Sequence, residues 1–472
     1  MRLVTPSFCL LALVVGLNGP AVADVIHLKN GDVIYADETK ETASTVQYHK
    51  GDDTYTIPKS RVESVEKSDA PAPARSAADI PVPTLNPATP TVEEGELLTQ
   101  VVRNGQVNRD ALRDIELRGN AGQTAVAYYV AGKQEFQSGD YNSARRDFEM
   151  ALRSDPRNPA ILNFYAALLV KTGNAKDALL YAEHAVQQAP DSADAYAVLG
   201  YAQFATSHNR EAIQSWKKSL SIRPDASIQQ LLARAEREST VESNFSERES
   251  GHFTLRYEGA QSSESLRGQV LSTLESAYQD LSREFGRDPR NSIEVVLYTG
   301  QDYFDVTRAP NWSGALNDGK IRIPLRGVSY VSSDMARVLR HELTHSFVSQ
   351  ATQGRCPTWL NEGIAQMLEP KSLGSLGSPL AKLFKADQEI PLNYLEGGFM
   401  SLSGAQAQLA YAESLATVEY IRERYGMSDI QRMLERLGQG QSMESAMRST
   451  IHCDYRELQE ETGAALLKQF GG

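Results

Sequence analysis

His341-Glu342-Leu343-Thr344-His345, and then Trp359-Leu360-Asn361-Glu362-Gly363-Ile364-Ala365, decide how the chain is read. The first segment sits in a run of helical spacing from about Asp334 to Val348. Histidines four apart lie one turn above each other on a helix, so both imidazoles reach one metal ion. Glu342 is offset around the helix, where it can hydrogen-bond a metal-bound water without being a ligand. Zinc lowers the pKa of such a water towards about 7, and the glutamate takes its proton during attack on a carbonyl. With eight histidines, chance would produce H-E-x-x-H in about one such chain in a hundred. Zinc needs a third protein ligand and keeps the fourth position for water or substrate. Glu362 follows His345 with 16 residues between, room for a loop and a return helix after Pro357. The competing reading of Glu362 is a solvated helix glutamate or a partner of the helix N-terminus.

Together these segments resemble the gluzincin metallopeptidases, including their aminopeptidase branch, and most closely the peptidase-MA-like group, which is often found beside tetratricopeptide repeats in exported bacterial proteins. The resemblance covers roughly 250–472 and is strongest over 338–368. It implies one zinc ion per chain, with His341, His345 and Glu362 as ligands and Glu342 as general base. It also implies a tyrosine on a later helix that stabilises the oxyanion. Leu409-Ala410-Tyr411-Ala412-Glu413-Ser414 opens such a helix, running to Tyr425-Gly426, and Tyr411 is the candidate. A core aromatic is the competing reading. In the resembling enzymes an edge strand pairs with the substrate backbone, and Ile321 to Leu325 is the candidate. Gly314-Ala315-Leu316-Asn317-Asp318 faintly echoes the aminopeptidases' G-[AG]-M-E-N element, whose glutamate captures a free amine. Here Asn317 holds that position, and Asp318, one step on, falls on the opposite strand face. The expectation is therefore an endopeptidase.

Around the site, His252 to Tyr257 alternates as a strand and Leu266 to Phe285 has helical spacing. Ile293 to Tyr298 and Gly319 to Leu325 read as strands, the latter an edge strand because of Pro324. The remainder reads mainly helical.

Upstream lies a 34-residue period: Pro156, Pro190 and Pro224 are in phase, as are Gly139, Gly173 and Ser207. Gly132, Ala166 and Gly200 share a second position, and Phe148, Ala182 and Trp216 a third. Small residues let helices approach, and each proline ends a unit. The period identifies three tetratricopeptide repeats, about 124–225, with a following helix near Ile228 to Arg237. Such arrays bind peptides or protein segments in a groove; a rigid spacer is the alternative.

Residues 24–66 read as a small β module, with a hairpin signal at Lys29-Asn30-Gly31-Asp32. It offers a docking surface or is a plain appendage. Residues 67–92 form a Pro/Ala-rich linker, and 93–123 a helical connector. Residues 1–23 have the pattern of a cleaved signal peptide: Arg2, an apolar run from Phe8 to Leu17, then Ala21-Val22-Ala23. The run is short for a membrane anchor, so the mature chain is expected to be exported, periplasmic or secreted in a bacterium, with no integral membrane segment. Formal charge of -12 over 472 residues argues against nucleic acid or an anionic membrane as partner. Cys356 and Cys453 are either a disulfide or two thiols.

The expected architecture is multidomain: a small all-β module, a helical repeat solenoid (124–240) and an α+β zinc peptidase domain (250–472). The expected function is a zinc metallopeptidase whose repeats recruit a protein or peptide substrate. The alternative is an interaction scaffold with an inactive or latent peptidase lobe.

Overall fold

A computed structural model describes residues 24–29, 33–36, 38–42, 44–50, 53–66, 92–103, 105–307, 315–325, 327–397, 399 and 404–471. The signal peptide, most of the linker, the Asn30-Gly31 turn and Gly314 lie outside them.

The β module is a unit of its own. It comprises β1 (Asp24–Leu28), β2 (Val33–Ala36), β3 (Glu38–Glu41), β4 (Thr45–Lys50), β5 (Asp53–Pro58) and β6 (Val62–Glu66). They form two antiparallel sheets, ordered β2-β1-β6 and β3-β4-β5. Period-2 alternation sends Ile26, Val46, Tyr48 and Val62 inward as a shared core.

The second unit begins with α1 (Val92–Val101), a small ladder of β7 (Val102–Arg103) and β8 (Gln106–Val107), and α2 (Arg109–Arg118). Three helix pairs follow: α3 (Ala121–Ser138) with α4 (Tyr141–Ser154), α5 (Pro159–Lys171) with α6 (Ala175–Gln188), and α7 (Ala193–Ala205) with α8 (Asn209–Ile222). The phased positions now have physical reasons. A Cβ on Gly132 would run into the Phe148 ring, and one on Gly200 into Trp216. Ala166 and Ala182 solve the same problem with two small residues, both fully buried. Gly139, Gly173 and Ser207 take the left-handed conformation at the turn of each pair (φ 83°, 76° and 63°). Helix starts carry side-chain caps at Asn120, Asp140, Asn158 and Ser192. The last helix of the array, α9 (Ala226–Val241), packs on α8.

The C-terminal lobe contains β9 (Ser246–Glu249), β10 (Phe253–Tyr257), α10 (Glu264–Phe285), β11 (Ile293–Tyr298), α11 (Gly300–Thr307), β12 (Leu316–Asn317) and β13 (Ile321–Pro324). Then come α12 (Ser333–Thr352), α13 (Thr358–Leu368), α14 (Gly377–Lys385), α15 (Gly404–Arg424), α16 (Met427–Gly438), α17 (Met443–Thr450) and α18 (Tyr455–Phe470). The sheet order is β12-β13-β11-β10-β9. The three central strands are parallel and both outer ones antiparallel to their neighbours. Its apolar face reaches the helices through Phe253, Tyr278 on α10 and Phe347 on α12, with ring centroids 5.9 and 5.1 Å apart along that chain.

The edge-strand expectation for Ile321 to Leu325 needs correction. β12 covers Ile321 and Arg322 on the outer side. Leu325 N–H reaches Tyr298 O at 2.8 Å, so the alternating Pro324 nitrogen points the other way, past the end of β12. The proline therefore marks where a short neighbour stops, and β13 is not the edge of the sheet.

The opposite face of the sheet is charged and turned towards the repeats. Arg322, 1% exposed, pairs with Asp318 at 3.0 Å and Glu238 of α9 at 2.8 Å. Arg234 of α9 joins Glu238 at 3.1 Å and also contacts Asp318. The array and the lobe thus share one buried ion cluster.

Candidate metal centre

α12 begins at a Ser332 cap that accepts from Met335 N–H, and it presents His341 and His345 one turn apart. Their rings meet edge to face with centroids 4.8 Å apart. α13 starts after Pro357 and returns Glu362 to them. Glu362 Oε2 lies 3.5 Å from His341 Nε2, and its Oε1 lies 3.8 Å from His345 Nε2. One ligand atom from each residue falls within 4.8 Å of the others.

The outer nitrogens are occupied. His345 Nδ1–H donates to Asn361 Oδ1 at 3.0 Å. His341 Nδ1 sits 3.2 Å from Glu369 Oε2, at ion-pair distance but poorly aligned for a hydrogen bond. Oxygen acceptors on Nδ1 favour the tautomer whose Nε2 lone pair is free, the usual support for a ligating histidine. Two Nε2 donors and a carboxylate fit zinc's three-protein-ligand pattern.

Burial and charge act in opposite directions here. Burial pushes the Glu342 carboxyl above the usual carboxylate range, against the pull of His341 and His345. Burial also works against ionised Glu362, yet His345 and His341 hold its carboxyl low. His341 is opposed by burial too, but Glu362 and Glu369 outweigh it and raise the imidazole to about 10. A metal ion would answer the same surplus of acid.

Tyr411 lies on α15, beside this group. Glu362, then burial, then Glu342 push its phenol well above the ordinary range. Gly363 explains the approach: a Cβ there would collide with Ser414 O and the Val418 side chain of α15. Gln366 Nε2 then donates to Tyr411 O at 3.0 Å. Phe399 packs edge-on to the Tyr411 ring, centroids 5.2 Å apart.

Asn317 faces α12, donating to Glu342 O and to Ser346 Oγ, each at 2.7 Å. Asp318 faces away into the ion cluster. Asn361, Gln366 and Glu369 are the supporting residues that sequence reasoning passed over, and Asn317 was noted there only as the residue in place of an amine-capturing glutamate. Asn361 is adjacent to Glu362 and Gln366 one helical turn after it, a signal that was available; Glu369 carried none.

The bridge considered between Cys356 and Cys453 is absent: both thiols are free. Cys453 Sγ lies 3.2 Å from Tyr425 Oη and 3.4 Å from Ile451 O. Among the described residues no other group of histidine, cysteine and acidic side chains gathers as a metal site would. No described helix is long and apolar enough to cross a membrane.

A family model described as Peptidase MA superfamily matches residues 273–468. A tetratricopeptide repeat model matches 135–180. The chain therefore carries a Peptidase MA superfamily domain and tetratricopeptide repeats. Among solved structures, the first such repeat domain of Spaghetti (RPAP3), bound to the HSP90 peptide SRMEEVD, is 22% identical; the match covers 25% of this chain and 95% of that one, with a TM-score of 0.25. The first repeat domain of human RPAP3, solved by NMR, is 21% identical over 25% and 95% of the two chains, TM-score 0.25. The MamA RS-1 ArsTM double mutant is 23% identical over 31% and 85%, TM-score 0.26. No curated protein matches.

Proposed function

We propose, on the premise that residues 273–468 are a Peptidase MA superfamily domain, that this protein is an exported zinc metallopeptidase of the gluzincin type acting on internal peptide bonds. The observation carrying this reading is the convergence of His341, His345 and Glu362 within 4.8 Å. Zinc, when bound by these three, supplies a Lewis acid and acidifies a water molecule. Asn361 orients the His345 imidazole by its hydrogen bond, and the Glu369 carboxylate faces the outer nitrogen of His341. Glu342, made more basic by burial, takes a proton from the attacking water as its oxygen adds to the carbonyl carbon. Glu342 then returns that proton to the departing amine nitrogen as the C–N bond breaks. The Tyr411 hydroxyl, kept protonated by its acidic surroundings, donates to the carbonyl oxygen as negative charge develops there.

The endopeptidase assignment is supported by Asp318, whose carboxylate is committed to Arg322 and Arg234 and not offered to a substrate amine. Peptides with blocked and free amino termini should be cut equally well; strict dependence on a free amine would overturn this.

Substrate recruitment by the repeats is supported by a cavity of about 440 Å³ between the second and third repeats and the lobe. Tyr201 and Phe204 line it from the repeats, and Asn317 and Ser346 from the lobe. Export rests on the first 23 residues and is tested by locating the mature protein in a fractionated cell.

The deciding measurement is zinc per folded chain, purified without chelators. About one ion is expected. None, even after zinc is offered, would overturn the peptidase reading and leave the interaction scaffold.

A further inference from the structure

The two ligand-bearing helices are joined by only Gln353, Gly354, Arg355, Cys356 and Pro357. Gln353 and Gly354 both have positive φ (53° and 72°) and close the end of α12, with Gly354 N–H bonded to Ser349 O at 2.8 Å. Arg355 comes next, and its guanidinium has no carboxylate partner among the described residues. It donates instead to three carbonyls: Gly139 O, Gly438 O and, at 3.4 Å, Thr352 O. Each belongs to the C-terminal end of a helix, namely α3, α16 and α12. Helix C-termini carry partial negative charge and unpaired carbonyls. Three of them replace the missing counter-ion. The guanidinium also lies over the Tyr141 ring, 4.7 Å from its centroid.

The first repeat closes the same joint from outside. Asn142 Nδ2 donates to Gly438 O at 3.1 Å, and Gln353 Nε2 donates to Asn142 Oδ1 at 3.1 Å. Gly438 admits this convergence, since a Cβ there would strike Ala351 O of α12. A planar guanidinium with five donors suits three carbonyls at once; an ammonium on a flexible stem cannot hold them in one geometry.

The geometry points to Arg355 as a positioning residue for the metal centre, with the first repeat as part of its support. Arg355 fixes the joint between the helix bearing His341 and His345 and the helix bearing Glu362, so the distance between the ligands depends on contacts made by the repeat. This rests on the zinc reading above and adds a dependence that reading does not require.

The test compares wild type with Arg355→Ala, Arg355→Lys, Asn142→Ala and a control at the same seam, Asn291→Ala, which removes only the 3.0 Å bond from Asn291 to Gly173 O. The readouts are zinc affinity by chelator competition, the visible absorption spectrum of the cobalt-substituted protein, and the thermal midpoint. Arg355→Ala and Arg355→Lys are expected to weaken zinc binding by about tenfold or more, in the range of supporting-residue changes, and to alter the cobalt spectrum. Asn142→Ala should move both in the same direction by less. Asn291→Ala should leave affinity and spectrum as in wild type. If Arg355→Ala does not fold, Arg355→Lys and Asn142→Ala carry the test. Wild-type zinc affinity and spectrum in the Arg355 variants, or an equal loss in Asn291→Ala, would overturn the assignment while leaving the zinc reading intact. Failure of wild type to bind zinc would overturn both.

Discussion

Two regions of this molecule gather charged side chains out of water, and they do it with opposite bookkeeping. At the seam between α9 and the sheet, Arg234, Arg256, Lys320 and Arg322 face Glu238, Glu242, Glu294 and Asp318. Cations and anions are equal in number. Burial alone would raise Asp318, but Arg322 and Arg234 outweigh it and hold the carboxyl at about 2. At the candidate metal centre Glu342, Glu362 and Glu369 face two imidazoles, which must be neutral to ligate, and the one further cation acting on Glu362 among the described residues is Lys371. There burial wins at Glu342 and the carboxyl is raised. A balanced cluster holds two bodies together, whereas a cluster short of positive charge is ready for a cation and for proton transfer.

The largest expected effect separates these roles at the centre. Glu342→Gln should lower peptide turnover by about 10²–10⁴, the usual span for a general base, while zinc content and thermal midpoint stay near wild type. Unchanged turnover would remove the base assignment. The seam should answer the other way. Arg322→Met leaves Asp318 and Glu238 short of a partner, and breaking a buried pair from one side costs about 3–5 kcal/mol. Urea unfolding should report that loss with zinc per folded chain unchanged; a variant as stable as wild type would show that the cluster contributes no cohesion. Tyr411→Phe should reduce turnover by about 10²–10³ if the hydroxyl serves the oxyanion. An enzyme with full turnover would return Tyr411 to the core.

The smallest effect concerns Glu413, fully buried on α15, whose two oxygens accept, among the described residues, only from Ile390 N–H at 3.0 and 3.2 Å. Burial raises its carboxyl to about 8 from 4.5. Its folded pKa exceeds its unfolded one, so the folded state keeps a proton that the unfolded state has lost. Stability therefore falls as pH rises between those values. Glu413→Gln should flatten that slope in urea midpoints at pH 5 and pH 8. An unaltered slope would mean that the carboxyl is not titrating as its burial requires.

The repeats were legible because their constraint recurs. Gly132 against Phe148 is restated by Gly200 against Trp216, and the turn conformation of Gly139 returns at Gly173 and Ser207. The convergence of His341, His345 and Glu362 was legible because binding one ion together would impose helical spacing on two residues and a return helix on the third. What supports the triad was less so. Glu369 and Asn317 reach their partners through tertiary folding, with no fixed step along the chain. Pro324 misled because a proline reports one missing neighbour at one residue, and the strand beside it is only two residues long. Arg355 has no signal in the sequence, since carbonyl partners on three separate helices leave no mark in the local sequence.

The three equivalent turns of the array all end on the lobe: Gly139 meets Arg355, Gly173 meets Asn291, and Ser207 donates to Glu294. Solenoids ordinarily grow and shrink by whole units, because each unit touches only its neighbours. Here the stride of the array is matched to three fixed points on another body. Duplicating or deleting a unit between Tyr141 and Ile222 would put every later turn out of step with its landing place. The number of repeats in this segment is therefore tied to the lobe.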